Sequence, residues 1–262
     1  MRKEKQIKRS PLKARPLRNP GQSANEEILR LIDDELTPWL LVAMLFLIYS
    51  CMEWLFWYLN TPRHPLLFTI LAVVIAIYVG RKILKSRKHL KALALGRDGE
   101  IAIGQYLERL REKGYKIFHD IQGDGFNIDH VIISPQGVFS IETKTISMPV
   151  GRKAIIRCQN GNVIVDGHPM DRNPIEQAKA QASWLGNLLE SSTGQHHKVK
   201  PVVVFPGWFV EPMRGEEKSD VWVLNPKALP TFISNESAVI EMRDVSLISH
   251  HLSLHIQAKI PN

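Results

Sequence analysis

The chain contains the segment Phe126-Asn127-Ile128-Asp129-His130-Val131-Ile132-Ile133-Ser134-Pro135-Gln136-Gly137-Val138-Phe139-Ser140-Ile141-Glu142-Thr143-Lys144-Thr145. On both sides of residues 134–137 the sequence alternates and is rich in β-branched and aromatic side chains, which is typical of β-strands. Pro followed by Gly within four residues is typical of a turn. The segment therefore predicts a β-hairpin with one carboxylate before the turn, and a second carboxylate and a lysine after it.

The register of this hairpin determines which side chains meet. A two-residue turn at 135–136 places Asp129 opposite Glu142. Lys144 then lies on the same face as Glu142, because strand side chains repeat every second residue. A three-residue loop with a bulge at Gly137 is the alternative, and it shifts the pairing by one residue. Two facing carboxylates are unfavourable unless a cation lies between them, so the predicted register indicates a cation-binding site.

Two carboxylates beside a lysine are suited to metal-assisted hydrolysis of a phosphodiester. Mg²⁺ prefers hard oxygen ligands, which Asp129 and Glu142 supply, with a backbone carbonyl near Thr143 as a third. A metal ion held there lowers the pKa of a bound water, and Lys144 orients that water or neutralises charge on the phosphate. The simpler alternative is a cross-strand ion pair on a solvated face of the sheet.

Helix and strand patterns flank the hairpin. Gly96-Arg97-Asp98-Gly99-Glu100 opens a helical pattern with apolar residues at 101, 103, 107 and 110, and residues 115–118 predict a strand. Asn173-Pro174-Ile175-Glu176-Gln177 is typical of a helix start, with Asn as the N-cap. Further patterns predict a second hairpin at 154–158 and 163–165, a helix to about residue 190, strands at 199–205 and 221–224, and a helix at 245–260.

Four of these motifs, in this order, resemble those of the nuclease-related domain (NERD) family, which is placed in the PD-(D/E)xK nuclease superfamily. They are Gly-x-x-Gly-Glu, Asn-Ile-Asp-His, Gly-Val-Phe-Ser-Ile-Glu-Thr-Lys and Asn-Pro-Ile-x-Gln. The likeness extends from about residue 96 to residue 207. It implies an α/β fold with a restriction-endonuclease-like mixed sheet flanked by helices.

The resemblance also implies roles for individual residues. Glu100, Asp129 and Glu142 match the family's presumed metal positions, with Mg²⁺ or Mn²⁺ as the cofactor and no small-molecule cofactor. These three residues with Lys144 match its catalytic positions, and Gln177 matches its helix-borne polar position. The superfamily's proline before the first aspartate is replaced here by isoleucine, as is usual in NERD sequences.

The positive charge of the chain is unevenly distributed. The formal net charge of the whole chain is +8. The residues before Gly96 include sixteen basic and seven acidic side chains, whereas the residues from Gly96 onward include eighteen basic and nineteen acidic side chains. The nuclease-like part therefore has no bulk positive field to attract a polyanion, which argues against nucleic-acid binding through net charge alone. Local positive charge near the predicted hairpins comes from Arg152, Lys153, Arg157 and Arg172.

Two apolar runs in the N-terminal third predict a transmembrane helical hairpin. Residues 39–59 are apolar apart from Ser50 and Glu53, and residues 66–84 form a second run if Arg81 and Lys82 extend towards the membrane surface. Basic residues flank the pair on both outer sides, which places both termini in the cytoplasm. A buried pair of helices in a soluble protein is the alternative.

We therefore expect five regions: a basic, partly disordered arm (1–37), a transmembrane hairpin (38–84), a basic linker (85–95), a NERD domain (96–210) and a C-terminal extension packed on that domain (211–262). The arm is expected to include a short amphipathic helix at 26–36. The expected function is hydrolysis of DNA or RNA. The transmembrane hairpin would lie in the lipid bilayer and hold the nuclease-like domain at the inner face of a bacterial-type cytoplasmic membrane. Two alternatives remain open: a non-catalytic, membrane-tethered module that binds nucleic acid or has a regulatory role, and a structural partner of a membrane complex.

Overall fold

The structure is a computed structural model that describes residues 16–61, 64–148, 151, 154–159, 161–211 and 220–259. The basic residues before Pro16, and Arg152 and Lys153, lie outside the described residues. The chain divides into two compact units. One comprises Gln22–Asp98, and the other comprises the residues up to Gly21 together with those from Gly99 onward.

The first unit is helical. It contains α1 (Gln22–Arg30), a π-helical stretch (Leu31–Leu36), α2 (Thr37–Tyr58) and the first part of α3 (Pro65–Glu108). Two helical segments are long and apolar enough to cross a membrane, with 18-residue windows of mean hydropathy 1.9 and 2.1. Only 11% of each window is buried, so most of this apolar surface is exposed. These helices fit the predicted hairpin in length and composition.

Small and polar residues line the contact between α2 and α3 within this unit. Ala43 and Ser50 are buried on α2, and Ala72 and Val79 are buried on α3, seven residues apart in each case. A seven-residue spacing keeps one face of a helix against its partner, and small side chains let the backbones approach. The Ser50 hydroxyl lies 3.0 Å from that of Thr69, which adds a polar contact between the helices.

The expectation that a helix begins at Gly96 is wrong. Helix α3 begins at Pro65 and runs through Gly80 and Gly96 without interruption. A helix-interior glycine costs only about 1 kcal/mol relative to alanine, and the intervening residues 81–95 are rich in Leu, Lys, Ala and Arg, which favour helix. Glu100 therefore lies deep within a long helix and not in a first turn.

The second unit contains the predicted α/β fold with mixed sheets and flanking helices, which is confirmed. The strands of its main sheet are β1 (Lys116–Gln122), β2 (Asn127–Ser134), β3 (Gly137–Thr143), β7 (Val199–Val204) and β9 (Trp222–Leu224). They follow the order β1-β2-β3-β7-β9 across the sheet. Strands β1, β2 and β3 are antiparallel, whereas β7 and β9 run parallel to β3.

The second predicted hairpin belongs to a smaller sheet. Its strands are β4 (Ile155–Gln159), β5 (Asn162–Val165), β6 (His168–Pro169) and β8 (Phe209–Val210), in the order β6-β5-β4-β8. The helices of this unit, besides the end of α3, are α4 (Pro174–Thr193), α5 (Leu229–Ser234) and α6 (Met242–Lys259).

Helices cover both faces of the main sheet. On one face, Val131 and Ile133 pack with Leu185 of α4 and with Ile248 and Leu252 of α6. On the other face, the end of α3 and helix α5 pack against the sheet and form a second core. Leu107 of α3 and Ile233 of α5 lie in this core with one residue from each of four strands: Ile117 of β1, Ile132 of β2, Ile141 of β3 and Val202 of β7. The sheet is therefore buried on both sides, and polar groups within it need partners.

The central hairpin has the predicted two-residue turn. Ser134 pairs with Gly137, and His130 pairs with Ile141. The bulged-loop alternative is therefore wrong, because it would shift every pair by one position. The pairing ends just before Asp129 and Glu142, so these two residues lie opposite each other where the ladder opens.

Candidate active site

Asp129 and Glu142 are buried on adjacent strands, with side chains that contact polar groups of the protein. Asp129 is 5% exposed and Glu142 is 4% exposed. The backbone amide of Thr143 donates a hydrogen bond of 2.7 Å to Oδ2 of Asp129. The Asp129 carboxylate therefore takes the place of a backbone acceptor at the end of the hairpin ladder, and this bond fixes its orientation.

Lys144 follows β3 directly and its ammonium group contacts Glu142. Nζ lies 2.6 Å from Oε1 of Glu142 and donates a hydrogen bond of 2.9 Å to Oε1 of Gln177. The backbone amide of Lys144 donates to the carbonyl of Val204, which anchors the chain at this point. Period-two alternation predicted that Lys144 and Glu142 share one face, and the ion pair confirms it.

Helix α4 supplies two glutamines to the same carboxylate. The side chain of Asn173 caps the helix by accepting a hydrogen bond from the amide of Ile175, as the sequence predicts. Gln177 donates a hydrogen bond of 2.8 Å to Oε1 of Glu142. Gln181 donates bonds to Oε2 of Glu142 (2.6 Å) and to the carbonyl of Asn127 (2.9 Å).

Gln181 was not predicted to be a site residue. It lies four residues after Gln177, and residues four apart share one face of a helix. The Gln-x-x-x-Gln spacing is therefore the feature of the sequence from which Gln181 could have been predicted to share the site with Gln177. Gln181 is 2% exposed, so its buried amide has a structural reason to pair with Glu142.

Glu100 reaches the site because α3 approaches the end of β3 closely at Gly99. A Cβ atom at Gly99 would overlap the side chain of Thr145, so only glycine permits this approach. A backbone hydrogen bond from Gly21 also holds the Glu100 carboxylate. The glycine in the Gly-x-x-Gly-Glu motif therefore has a packing function that places Glu100 near the hairpin.

Burial and neighbouring negative charges raise the pKa values of Glu100 and Asp129. The pKa of Glu100 rises from 4.5 to about 7, chiefly through burial and then through the negative charges of Asp120 and Glu142, while Lys144 and the Gly21 hydrogen bond oppose the rise. Burial, followed by the charges of Glu142 and Glu100, raises the pKa of Asp129 well above its ordinary value. The cluster therefore disfavours full ionisation and favours a bound cation.

Asp120 is a fourth carboxylate of the cluster, and its negative charge helps to raise the pKa of Glu100. It is fully buried, and its side chain accepts hydrogen bonds from Arg18 (2.5 Å) and Asn127 (3.0 Å). Neither Asp120 nor Arg18 was predicted to be a site residue. The neighbouring His119 instead bonds to His130 and to Glu108.

The donor set fits a hard divalent cation, although the carboxylates are not arranged as a finished ligand cage. Among the residues that the structure describes, no group of three or more His, Cys, Asp or Glu side chains is positioned to hold a metal ion. Four buried side-chain oxygens around the site have no hydrogen-bond partner among those residues: Glu100 Oε2, Thr143 Oγ1, Thr145 Oγ1 and Gln181 Oε1. Oxygen atoms of this kind are the ligands that Mg²⁺ and its coordinated waters prefer.

Comparison with known families identifies this part of the chain. Residues 95–206 match the family model of the nuclease-related domain. The chain contains a NERD domain. A search of curated proteins and a search of solved structures find no significant match.

The NERD domain includes most of the residues of the acidic cluster and its hydrogen-bond partners. Glu100, Asp129, Glu142, Lys144 and Gln177 all lie within the matched residues. Arg18 and helices α5 and α6 lie outside them. This chain therefore adds elements from both of its ends to the matched domain, and one of them, Arg18, contacts the acidic cluster directly.

Proposed function

We propose that this chain is a membrane-anchored nuclease that hydrolyses phosphodiester bonds of DNA or RNA with Mg²⁺ or Mn²⁺. The observation that supports the proposal best is the convergence of Asp129 and Glu142, with the nearby Glu100, beside Lys144 in a nuclease-related domain. Buried like charges are costly. A cluster of this kind is expected where a cation has to bind.

Asp129, Glu142 and Glu100 are the residues that would hold the metal ion. When bound, such an ion polarises a phosphate and lowers the pKa of a coordinated water. Asp129 is held in place by the Thr143 amide, and Glu142 is held by its two glutamines. These bonds fix the carboxylates on rigid strands, which limits the reorganisation that binding requires.

Lys144 supplies positive charge next to the carboxylates. Its side chain is 24% exposed, so it reaches both the cluster and solvent. In this position it can orient the attacking water or neutralise charge that develops on the phosphate. Gln177 bonds to both Lys144 and Glu142, so its role is to position the lysine relative to the carboxylate.

The proposed location is the cytoplasmic membrane, with α2 and the first part of α3 as the two spans. Basic residues before α2 and after residue 80 favour a cytoplasmic position for both termini. The proposed regions are those expected from the sequence: the arm (1–37), the hairpin (38–84), the linker (85–95), the domain (96–210) and the extension (211–262). The domain would then act on nucleic acid at the membrane surface.

A second candidate function is a non-catalytic module that binds nucleic acid or regulates a partner. The observation that favours it is that both oxygens of Glu142 are already bonded, to Lys144 and Gln177 on one side and to Gln181 on the other. A carboxylate saturated in this way binds metal only if at least one of these bonds is given up. If Glu142 always keeps these hydrogen bonds, the site would stabilise the fold but would not catalyse hydrolysis.

The deciding experiment uses the full-length chain in detergent micelles with single- and double-stranded DNA and RNA. We expect cleavage with Mg²⁺ or Mn²⁺, none with EDTA, and loss of cleavage in Lys144→Ala. Lys179→Ala is the matched control, because Lys179 is an exposed lysine of α4 that pairs with Glu176. Binding without cleavage under all metal conditions would favour the non-catalytic module, and cleavage by Lys144→Ala at the normal rate would contradict the proposed role of the lysine.

A further inference from the structure

The segment of residues 16–21 crosses the acidic cluster and places a cation in it. Arg18 Nε donates to Oδ2 of Asp120 over 2.5 Å, although the two residues are 102 positions apart in sequence. The side chain of Arg18 is only 3% exposed, and that of Asp120 is fully buried. An arginine is rarely buried unless it is paired, so this contact defines where the segment lies.

Two further contacts hold the same segment. Gly21 makes a backbone hydrogen bond to Glu100. Pro20 packs against α3 at Gly104, where a Cβ atom would lie 2.6 Å from the proline ring. The segment therefore engages two carboxylates, Asp120 and Glu100, that strengthen each other's negative potential. We call residues 16–21 the strap.

The strap is held by the Arg18–Asp120 pair, the Gly21 hydrogen bond and the contact of Pro20 with α3. Leu17 is 38% exposed, and a cavity of about 560 Å³ lies between the strap and the surface formed by Gln105, Arg111 and His119. Apolar burial is the main source of stability in folded segments, whereas the separation of a buried ion pair is costly because it leaves a carboxylate without its partner. The strap is therefore expected to open when another cation compensates the negative charge of the cluster, while the rest of the unit stays folded.

We propose that the strap is autoinhibitory: Arg18 and Gly21 occupy Asp120 and Glu100, and the strap detaches when a divalent cation binds the cluster. This inference rests on the proposed function and adds a regulatory element to the same site. With the strap in place, Arg18 neutralises one carboxylate and Gly21 uses an oxygen of another. When the strap leaves, the negative potential at Glu100, Asp129 and Glu142 increases, and so does the attraction for a divalent cation.

The test measures Mn²⁺ binding to the full-length chain in detergent micelles by the electron paramagnetic resonance signal of free Mn²⁺. Arg18→Gln removes the competing cation, and we expect it to bind Mn²⁺ about tenfold more tightly than the natural sequence. Arg157→Gln is the matched control, since it removes the same charge from an exposed pair with Glu211. Its Mn²⁺ affinity should equal that of the natural sequence.

Hydrogen exchange of the unsubstituted chain provides a measurement that does not depend on a variant, because Arg18→Gln leaves Asp120 without its guanidinium partner and can impair folding. Saturating Mn²⁺ should accelerate amide exchange in the strap while exchange in β2 and β3 stays slow. Unchanged or slower strap exchange overturns the inference, as does an unchanged or weaker Mn²⁺ affinity in folded Arg18→Gln. In both cases the nuclease proposal stands if the natural sequence binds Mn²⁺, whereas failure of every form to bind Mn²⁺ overturns both.

Discussion

Replacing Glu100 by Gln tests the electrostatic cost of the acidic cluster, because it removes a charge while keeping the size and the acceptor oxygen of the side chain. In the folded chain the pKa of Glu100 is raised from 4.5 to about 7 by burial and by the charges of Asp120 and Glu142. The folded state therefore binds a proton at this site more tightly than the unfolded state does. It follows that the contribution of Glu100 to stability falls as the pH rises from about 4.5 to about 7.

The magnitude follows from the pKa change. Each pKa unit corresponds to about 1.4 kcal/mol, so complete ionisation of Glu100 costs the folded state about 3 kcal/mol above pH 7. Glu100 is partly accessible to solvent, and screening reduces this to about 2 kcal/mol. The amide of the substituted side chain does not ionise, so Glu100→Gln should stabilise the second unit by about 2 kcal/mol at pH 8 and by well under 1 kcal/mol at pH 5.

The assay is thermal unfolding of the full-length chain in detergent micelles with EDTA, followed by tryptophan fluorescence and near-UV circular dichroism. For a unit of this size, 1 kcal/mol shifts Tm by about 2–4 °C. We therefore expect Glu100→Gln to raise Tm by about 4–8 °C at pH 8 and much less at pH 5. Glu176→Gln is the matched control, because Glu176 is an exposed residue of α4, and its Tm should change little at either pH.

Two results would refute this reasoning. An equal Tm shift at both pH values would mean that the substitution acts through packing and not through charge. A lower Tm for Glu100→Gln at pH 8 would mean that the ionised carboxylate stabilises the fold, so the carboxylates would not form the mutually repelling cluster on which the proposed metal site depends.

Three further predictions concern the glutamine shell, the core and the membrane. Gln181→Leu leaves Oε2 of Glu142 and the carbonyl of Asn127 without this donor, so it should destabilise the unit by about 1–3 kcal/mol in the same unfolding assay; an unchanged Tm would show that the bonds carry no net stability. Leu107→Ala removes a fully buried side chain from the core between α3 and the sheet, and should cost about 2–5 kcal/mol, whereas a cost below about 1 kcal/mol would contradict this packing. The chain should remain with membranes through high-salt and alkaline washes and dissolve only in detergent, and release by salt alone would exclude the two proposed spans.

The parts of the fold that the sequence predicted correctly depend on local signals. Alternation over 127–134 and 137–143, with Pro and Gly between, determines both strands and the two-residue turn. The Asn-Pro pair before α4 predicts its start at Pro174, as observed. Each of these features is determined within a short stretch of neighbouring residues, so one sequence is enough to recognise it.

The features that were missed depend on contacts between distant residues. Helix α3 continues through Gly96 because its neighbours favour helix, and the glycine pattern instead marks the close approach of Gly99 to Thr145. The pairing of Arg18 with Asp120 spans 102 positions, and no periodicity connects such residues. Gln181 was only partly predictable from the sequence. Its helical spacing from Gln177 is a local pattern, but its partner Glu142 lies on another element.

The acidic cluster also accounts for the charge balance that argues against nucleic-acid binding. From Gly96 onward the chain has eighteen basic and nineteen acidic residues, and four of the acidic ones are Glu100, Asp120, Asp129 and Glu142. Outside the cluster, eighteen basic residues therefore face fifteen acidic ones. A divalent cation bound in the cluster would cancel half of its formal negative charge, which would change the formal net charge of residues 96–262 from −1 to +1. On this reasoning, metal binding would reduce the electrostatic repulsion between this part of the chain and a polyanion.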